Sequence, residues 1–450
     1  MRSSRLMYVT LISLGVGFFS CSTAKKAQQR KTSFDDGIQQ IKHVVVIYME
    51  NHSFDNLYGE FKGANGIKNA IKGNYVQVDK KGKPYQYLPA IPRNNSFPTN
   101  LPNKLFNIDQ YVPNDKPTPD VTHRFYHNQL QIDGGKMDKF AAYNDSKGLA
   151  MGYYSTKKLP LYQFAHDYTL CDNFFQSVFG GSYFNHVFLI SAGVPTWPNA
   201  PKSQVAQIGP DGKIIKDGVV SPDGYAINHV LSRNWPYPVK SDTSKFLPSQ
   251  NFPTIGDRLS EKNISWAWYS EGWDDAVAGR KNNFAYNHEP FLYFDNYKPG
   301  TKGREHLKDQ NDFIKAAKAG TLPSVSFVKP GSGNDEHPGA SAVYSSEQLA
   351  VNLINDVLNG PNGKDALVIL TYDEFGGFFD HVNPPKIDRF GPGSRIPAII
   401  IGPFAKKKFV DHTQYETVSL LAFIEKRWGL APLAERDKNA SPLRNALIFK

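Results

Sequence analysis

Cysteine is nearly absent: the 450-residue chain carries two, Cys21 and Cys171. A scaffold stapled by several disulfides is therefore excluded. Long apolar runs are also scarce. One, Leu6–Phe19, lies near the amino terminus, and it is shorter than the roughly 20 residues that cross a bilayer. With a mean hydropathy of −0.46, a polytopic membrane protein is excluded. No period of 20–50 residues recurs, which removes solenoids and propellers. There is no surplus of acid: 52 Lys and Arg face 42 Asp and Glu, for a net charge of +10. Half of that charge sits in the first 42 residues, where seven basic side chains meet only Asp35 and Asp36. The remainder is too mildly basic for a nucleic-acid-binding stripe, so no nucleic-acid partner is expected. An aromatic content of 13 % and an apolar content of 40 % exclude disorder for the bulk of the chain.

The amino terminus reads as a targeting segment. Arg2 and Arg5 precede the apolar run, and Ser20-Cys21 follows it. This order predicts a secretory signal over residues 1–21. Its end resembles a bacterial lipobox, which implies export to the periplasm or cell surface and a membrane anchor on a lipid-bearing Cys21. Residues 22–40 are polar and aperiodic and are expected to form a flexible tether. Cys171 is then left without an intrachain partner.

From residue 41 onward, short β-branched runs alternate with helical patterns. Ile41–Tyr48, Ile264–Tyr269, Val325–Val328, Ala366–Tyr372 and Ile396–Ile401 read as buried strands. Thr254–Leu259, Asp309–Ala319, Ser345–Leu358 and Glu416–Trp428 read as helices. Ser345 and Gln348 have capping-box spacing, and Gly320 suits a C-cap. The alternation predicts an α/β domain over residues 41–450 with a mostly parallel sheet. Two Pro- and Gly-rich stretches, near 60–120 and 196–250, are expected as insertions that form lids or binding walls.

The residues suited to chemistry cluster after the strands. Glu50 and Asn51 follow the first strand, and Asp373 and Glu374 follow the run Ala366–Tyr372. Ligands gather at the carboxyl ends of strands in such sheets. Adjacent buried carboxylates are costly unless a cation neutralises them, which points to a divalent metal ion. Taken one at a time, each acidic pair could equally cap a helix or face solvent. Gly376-Gly377 permits a tight turn that would return Asp380-His381 to the same rim. Gly180-Gly181-Ser182 opens an apolar helical segment, an arrangement that favours an anion at the helix start, with Asn185 one turn on as a further donor. His123, His288 and His337 lie in separate polar clusters.

These segments resemble the bacterial phosphoesterases of the acid phosphatase and non-haemolytic phospholipase C type, within the alkaline phosphatase superfamily. The matching stretches include VVVIYMENHSFDNLYG, CDNFFQSVFGGSYFNHVFLISAG, DEHPG and LVILTYDEFGGFFDHV. The resemblance implies a three-layer, alkaline-phosphatase-like sandwich. It also implies a metal held by Glu50, Asn51, Asp373 and Glu374, with Ser182 as the nucleophile. Asn185 would hold phosphoryl oxygens, His123 and His288 would line the pocket, and His337 would be the leaving-group acid. The chain departs from the acid-phosphatase pattern at Glu374, where a second Asp is usual, and at Asn287, where a second His is usual. The expected activity is a broad-specificity phosphomonoesterase. A phospholipase C acting on phospholipids is the alternative, and a non-catalytic, carbohydrate-binding surface lipoprotein is a third reading.

Overall fold

The computed structural model describes residues 33–70, 75–210 and 212–449. The signal segment, Cys21 and most of the expected tether lie outside the described residues. Where the tether enters the described region the expectation is corrected. Phe34–Gly37 forms a short helix capped by the Ser33 side chain, and Ile38–Gln40 continues it as a 3-10 turn. The Phe34 ring packs on Phe449, Ile38 is buried, and Asp35 pairs with Lys426. Ordering this segment buries Ile38 and part of Phe34, two apolar side chains that the polar composition around them obscures.

The core is an eight-stranded sheet. In chain order its strands are β1 (His43–Met49), β2 (Thr169–Cys171), β3 (Trp266–Ser270), β4 (Leu307–Asp309), β5 (Val325–Lys329), β6 (Ala366–Tyr372), β7 (Ala398–Ile401) and β8 (Phe409–Asp411). They lie in the order β8-β2-β7-β6-β1-β5-β3-β4. Only β7 runs against its neighbours; every other pairing is parallel. Both faces of the central strands are covered, so they read as unbroken apolar runs. From Val44 to Met49 each side chain is fully buried, and burial of each Val or Ile contributes about 1.5–3 kcal/mol relative to exposure.

Consecutive side chains on β3 show how the layers are stacked, because they point to opposite faces. Trp268 meets His186 of α1 (Ser182–Ser191), whereas Tyr269 meets Phe313 of α3 (Gln310–Ala319). On the first face α1 packs on α2 (Ile255–Glu261) and α5 (Val418–Trp428). On the second, α3 packs on α4 (Val343–Asn359). The result is the expected three-layer α/β architecture. Thr254 closes a capping box on α2, and Gly320 (φ 72°) ends α3 in the left-handed region. The α4 capping box is not formed: the helix starts at Val343, and Ser345 Oγ turns back to the Ala342 carbonyl (3.2 Å).

Candidate active site

The site lies at the carboxyl ends of three adjacent parallel strands. Met49 and Tyr372 are the last register pair of β1 and β6. The next residues along these strands, Glu50-Asn51 and Asp373-Glu374, therefore emerge side by side. Lys329 ends β5 on the other flank of β1. The three strand ends thus present a row of acid, acid and base.

Local backbone geometry locks this row in place. Asn51 adopts φ 63°, a left-handed conformation that Asn tolerates better than most residues. Its peptide nitrogen donates to Asp373 Oδ1 (2.8 Å), which also accepts from the Glu374 nitrogen (2.7 Å). Gly376 (φ 65°) presses on the same turn, where a Cβ would lie 1.9 Å from the Asn51 carbonyl oxygen. Gly376 N in turn donates to Glu374 Oε2 (2.7 Å).

Ser182 is the first residue of α1. Its N-cap, Gly181, offers no side chain to the free first-turn N–H groups, which leaves them available to an anion. Ser182 Oγ donates to Glu50 Oε2 (2.9 Å) and approaches Asn51 Oδ1 (3.4 Å). The turn before it needs glycine: at Gly180 (φ 89°) a Cβ would meet the Phe125 backbone nitrogen at 2.4 Å. Gln176 ties this turn to the Asp373-Glu374 loop. Its Nε2 donates to the Val178 (2.7 Å) and Gly180 (3.2 Å) carbonyls, and its Oε1 accepts from Phe375 N (2.9 Å).

Glu50 is the hub. Its Oε1 lies 3.0 Å from Lys329 Nζ, 3.2 Å from His288 Nδ1 and 3.5 Å from His186 Nε2. His288 and His186 stack with ring centroids 4.8 Å apart, and His186 Nδ1 is 2.8 Å from the Ser182 carbonyl oxygen. Burial, reinforced by Lys329, holds both imidazoles well below the usual histidine range, so both are neutral. Burial pushes Asp373 and Glu374 well above the usual carboxylate range, and neighbouring carboxylates add to the shift. Burial opposes charge on Lys329, but Glu50, Asp335 and Asp373 outweigh it and raise its pKa.

The donor set fits a divalent cation. Glu50 Oε1, Asp373 Oδ2, Glu374 Oε1, His186 Nε2 and His288 Nδ1 are buried without a well-formed hydrogen bond. Glu50, His186 and His288 each present a ligand atom within 4.8 Å of the others. Carboxylates with neutral imidazoles suit a hard or borderline ion. Such groups are costly to bury unless something neutralises and coordinates them.

His123 and His337 stand further out, with ring centroids 5.4 Å apart. His123 Nε2 is 3.2 Å from Asn51 Nδ2 and 3.9 Å from Glu374 Oε1. His337 Nδ1 is 2.7 Å from the Pro338 carbonyl, which marks Nδ1 as the donor and leaves Nε2 free. Both line a cleft of about 950 Å³ with Ser182 and His288. Both Pro- and Gly-rich stretches contribute to the lining of this cleft, through Pro92, Arg93 and Asp120 from one and Gln204, Asp217 and His229 from the other.

Two expectations are corrected. Asn185 does not face the cleft. Its Nδ2 donates to the Gly180 and Gly181 carbonyls (3.3 Å each) and its Oδ1 accepts from Val178 N (3.3 Å), so its amide braces the glycine turn. Asp380 and His381 do not return to the rim. Buried Arg395 holds Asp380 (2.8 Å) and Asp55 (3.2 Å), and His381 Nδ1 lies 2.6 Å from Asp55. That cluster has its own cation, Arg395. Two residues escaped the sequence reading. Lys329 could have been found by the strand-end rule that selects Glu50. His186 is four residues beyond Ser182, hence one helical turn away on the same face.

The chain is similar to known proteins over most of its length. The chain is 24 % identical over 434 residues to phospholipase C B of Mycobacterium tuberculosis, covering 87 % of this chain and 74 % of that protein. It is 23 % identical over 455 residues to the non-hemolytic phospholipase C of Pseudomonas aeruginosa, covering 91 % of this chain and 56 % of that one. Among solved structures, a protein in the alkaline phosphatase superfamily from Vibrio parahaemolyticus aligns over 72 % of this chain and 75 % of its own, at 13 % identity and a TM-score of 0.34. The Phosphoesterase family matches residues 41–431, and the chain belongs to that family, as a hydrolase acting on phosphoesters.

Proposed function

We propose that the protein is a metal-dependent phosphomonoesterase that works through a covalent phosphoserine on Ser182. The observation that carries this reading is the placement of Ser182 Oγ, 2.9 Å from Glu50 at a helix N-terminus on the floor of a polar cleft. A divalent cation bound by Glu50, Asn51, Asp373 and Glu374, with His186 and His288 within reach, would supply Lewis-acid stabilisation of the transferred phosphoryl group. Glu50 and Asn51 orient the hydroxyl, and the free N–H groups of α1 receive the phosphoryl oxygens. Ser182 Oγ attacks phosphorus as Glu50 Oε2 takes its proton, the ester oxygen departs, and His337, in its imidazolium form, gives that oxygen a proton from Nε2. Water, deprotonated by the now neutral His337, then displaces Ser182, which recovers its proton from Glu50, and releases phosphate.

The cleft wall favours a water-soluble ester. Among the described residues the exposed large apolar side chains are Tyr87, Ile215, Val239, Val277, Tyr344, Ile387 and Ile448, and none of them lines the cleft. The second reading, a phospholipase C, is favoured by the names of the relatives. Turnover of p-nitrophenyl phosphate against phosphatidylcholine vesicles separates the two. Faster hydrolysis of the monoester supports the proposal, and hydrolysis of the lipid alone replaces it with the second reading. Export and a lipid anchor at Cys21 belong to the same proposal. Incorporation of labelled palmitate into the expressed chain, lost in Cys21→Ala, is the expected result.

A further inference from the structure

We propose that Lys329 is a built-in counter-cation of the metal site, a positioning residue that holds the place of a second positive ion. This rests on the metal-dependent reading above.

Its side chain is 2 % exposed, and its ammonium lies 3.0 Å from Glu50 Oε1 and 3.8 Å from Asp335 Oδ2. It also donates to the Pro330 carbonyl (3.2 Å). Asp335 is further engaged by the His337 nitrogen and Ser341 Oγ, so it anchors the loop on the outer side of Lys329. With the ion bound and its carboxylate ligands ionised, Glu50, Asp373 and Glu374 bring three negative charges to the strand ends, and buried Asp335 adds a fourth beside Lys329. One ammonium leaves three, of which one divalent ion offsets two.

A lysine so placed does two opposed things. It repels an incoming metal ion, because two positive charges share Glu50. It also lessens the negative charge that a phosphoryl dianion meets. A residue that merely shaped the pocket would, on removal, weaken both metal and phosphate binding. Loss of a counter-cation strengthens the first and weakens the second.

The test uses the full chain, stripped with a chelator and titrated with Mn²⁺ by calorimetry. Lys329→Gln is expected to bind Mn²⁺ at least about tenfold more tightly than the wild type. The Mn²⁺-loaded variant is expected to bind inorganic phosphate about tenfold more weakly. Lys329→Arg, which keeps the charge, stays near wild type in both. Equal or weaker Mn²⁺ binding by Lys329→Gln, or unchanged phosphate binding, overturns the proposal while leaving the metal reading intact. A wild-type chain that takes up no Mn²⁺, Zn²⁺ or Ca²⁺ overturns both. Should Lys329→Gln fold only with the ion present, its rate of Mn²⁺ loss to excess chelator is compared with wild type. Slower loss supports the proposal, and equal or faster loss overturns it.

Discussion

Replacing Glu50 by Gln tests the hub of the site. Glu50 makes four close polar contacts, with Ser182 Oγ at 2.9 Å, Lys329 Nζ at 3.0 Å, His288 Nδ1 at 3.2 Å and His186 Nε2 at 3.5 Å. Glutamine keeps one acceptor and turns the other into an NH₂ donor. If that NH₂ faces Ser182, the hydroxyl must reverse its hydrogen bond. If it faces Lys329, a donor meets an ammonium. In either case Lys329 keeps only Asp335, at 3.8 Å, as a carboxylate partner. Breaking a buried ion pair by removing one partner costs about 3–5 kcal/mol. That is a large fraction of a typical folding free energy of roughly 5–15 kcal/mol. Urea denaturation of chelator-treated protein should show this loss. Added Mn²⁺ should stabilise wild type by about 2.7 kcal/mol at a hundredfold excess over its Kd, through ligand linkage. The variant should gain much less. If Glu50→Gln matches wild type in urea and gains as much from Mn²⁺, Glu50 neither anchors Lys329 nor holds the ion.

Other outcomes follow from the same geometry. His337→Asn should slow hydrolysis of alkyl phosphates by about a hundredfold or more and leave p-nitrophenyl phosphate much less affected, since an acid matters most for a poor leaving group; a uniform loss across leaving groups would remove His337 from that role. Asn185→Ala should act through the glycine turn, lowering kcat and melting temperature together with about 1 kcal/mol or more of stability from the broken hydrogen bonds; loss of phosphate affinity alone would return it to the cleft. Burial pushes Glu347 up to about 8, with Oε2 accepting from Leu161 N at 2.8 Å. The folded state therefore holds a proton that the unfolded state gives up near pH 4.5, and its contribution to stability is lost as pH rises from there through about 8. Glu347→Gln should flatten that decline by up to about 1.4 kcal/mol per pH unit, measured by urea titration across this range; an unchanged slope would refute it.

The sheet and its acidic rim were legible because each signal was local. A buried parallel strand reads as an unbroken β-branched run, and the polar residues that end it stand out, as after Met49 and Tyr372. The same rule reaches Lys329, but a lysine after Val325–Val328 looks like ordinary escape to solvent, and only the register beside β1 shows that it meets Glu50. His186 was hidden in an apolar helical run. Asn185 and Asp380 were misread for a different reason. A buried polar side chain must find partners, and whether it finds backbone carbonyls, Arg395 or a ligand depends on tertiary contacts that spacing does not encode. The helical segment 33–40 escapes a reading by composition because its two anchoring residues, Phe34 and Ile38, sit among polar neighbours, and Phe34 packs on Phe449 of the distant carboxyl terminus.

In the proposed reaction Ser182 takes the phosphoryl group. The full chain, loaded with divalent metal and turning over p-nitrophenyl phosphate, can be quenched in acid, digested and mapped by mass spectrometry. A phosphoryl group on the Ser182 peptide, absent in Ser182→Ala, is the predicted result. Full turnover by Ser182→Ala, or a wild-type digest with no phosphoserine at that position, would contradict it.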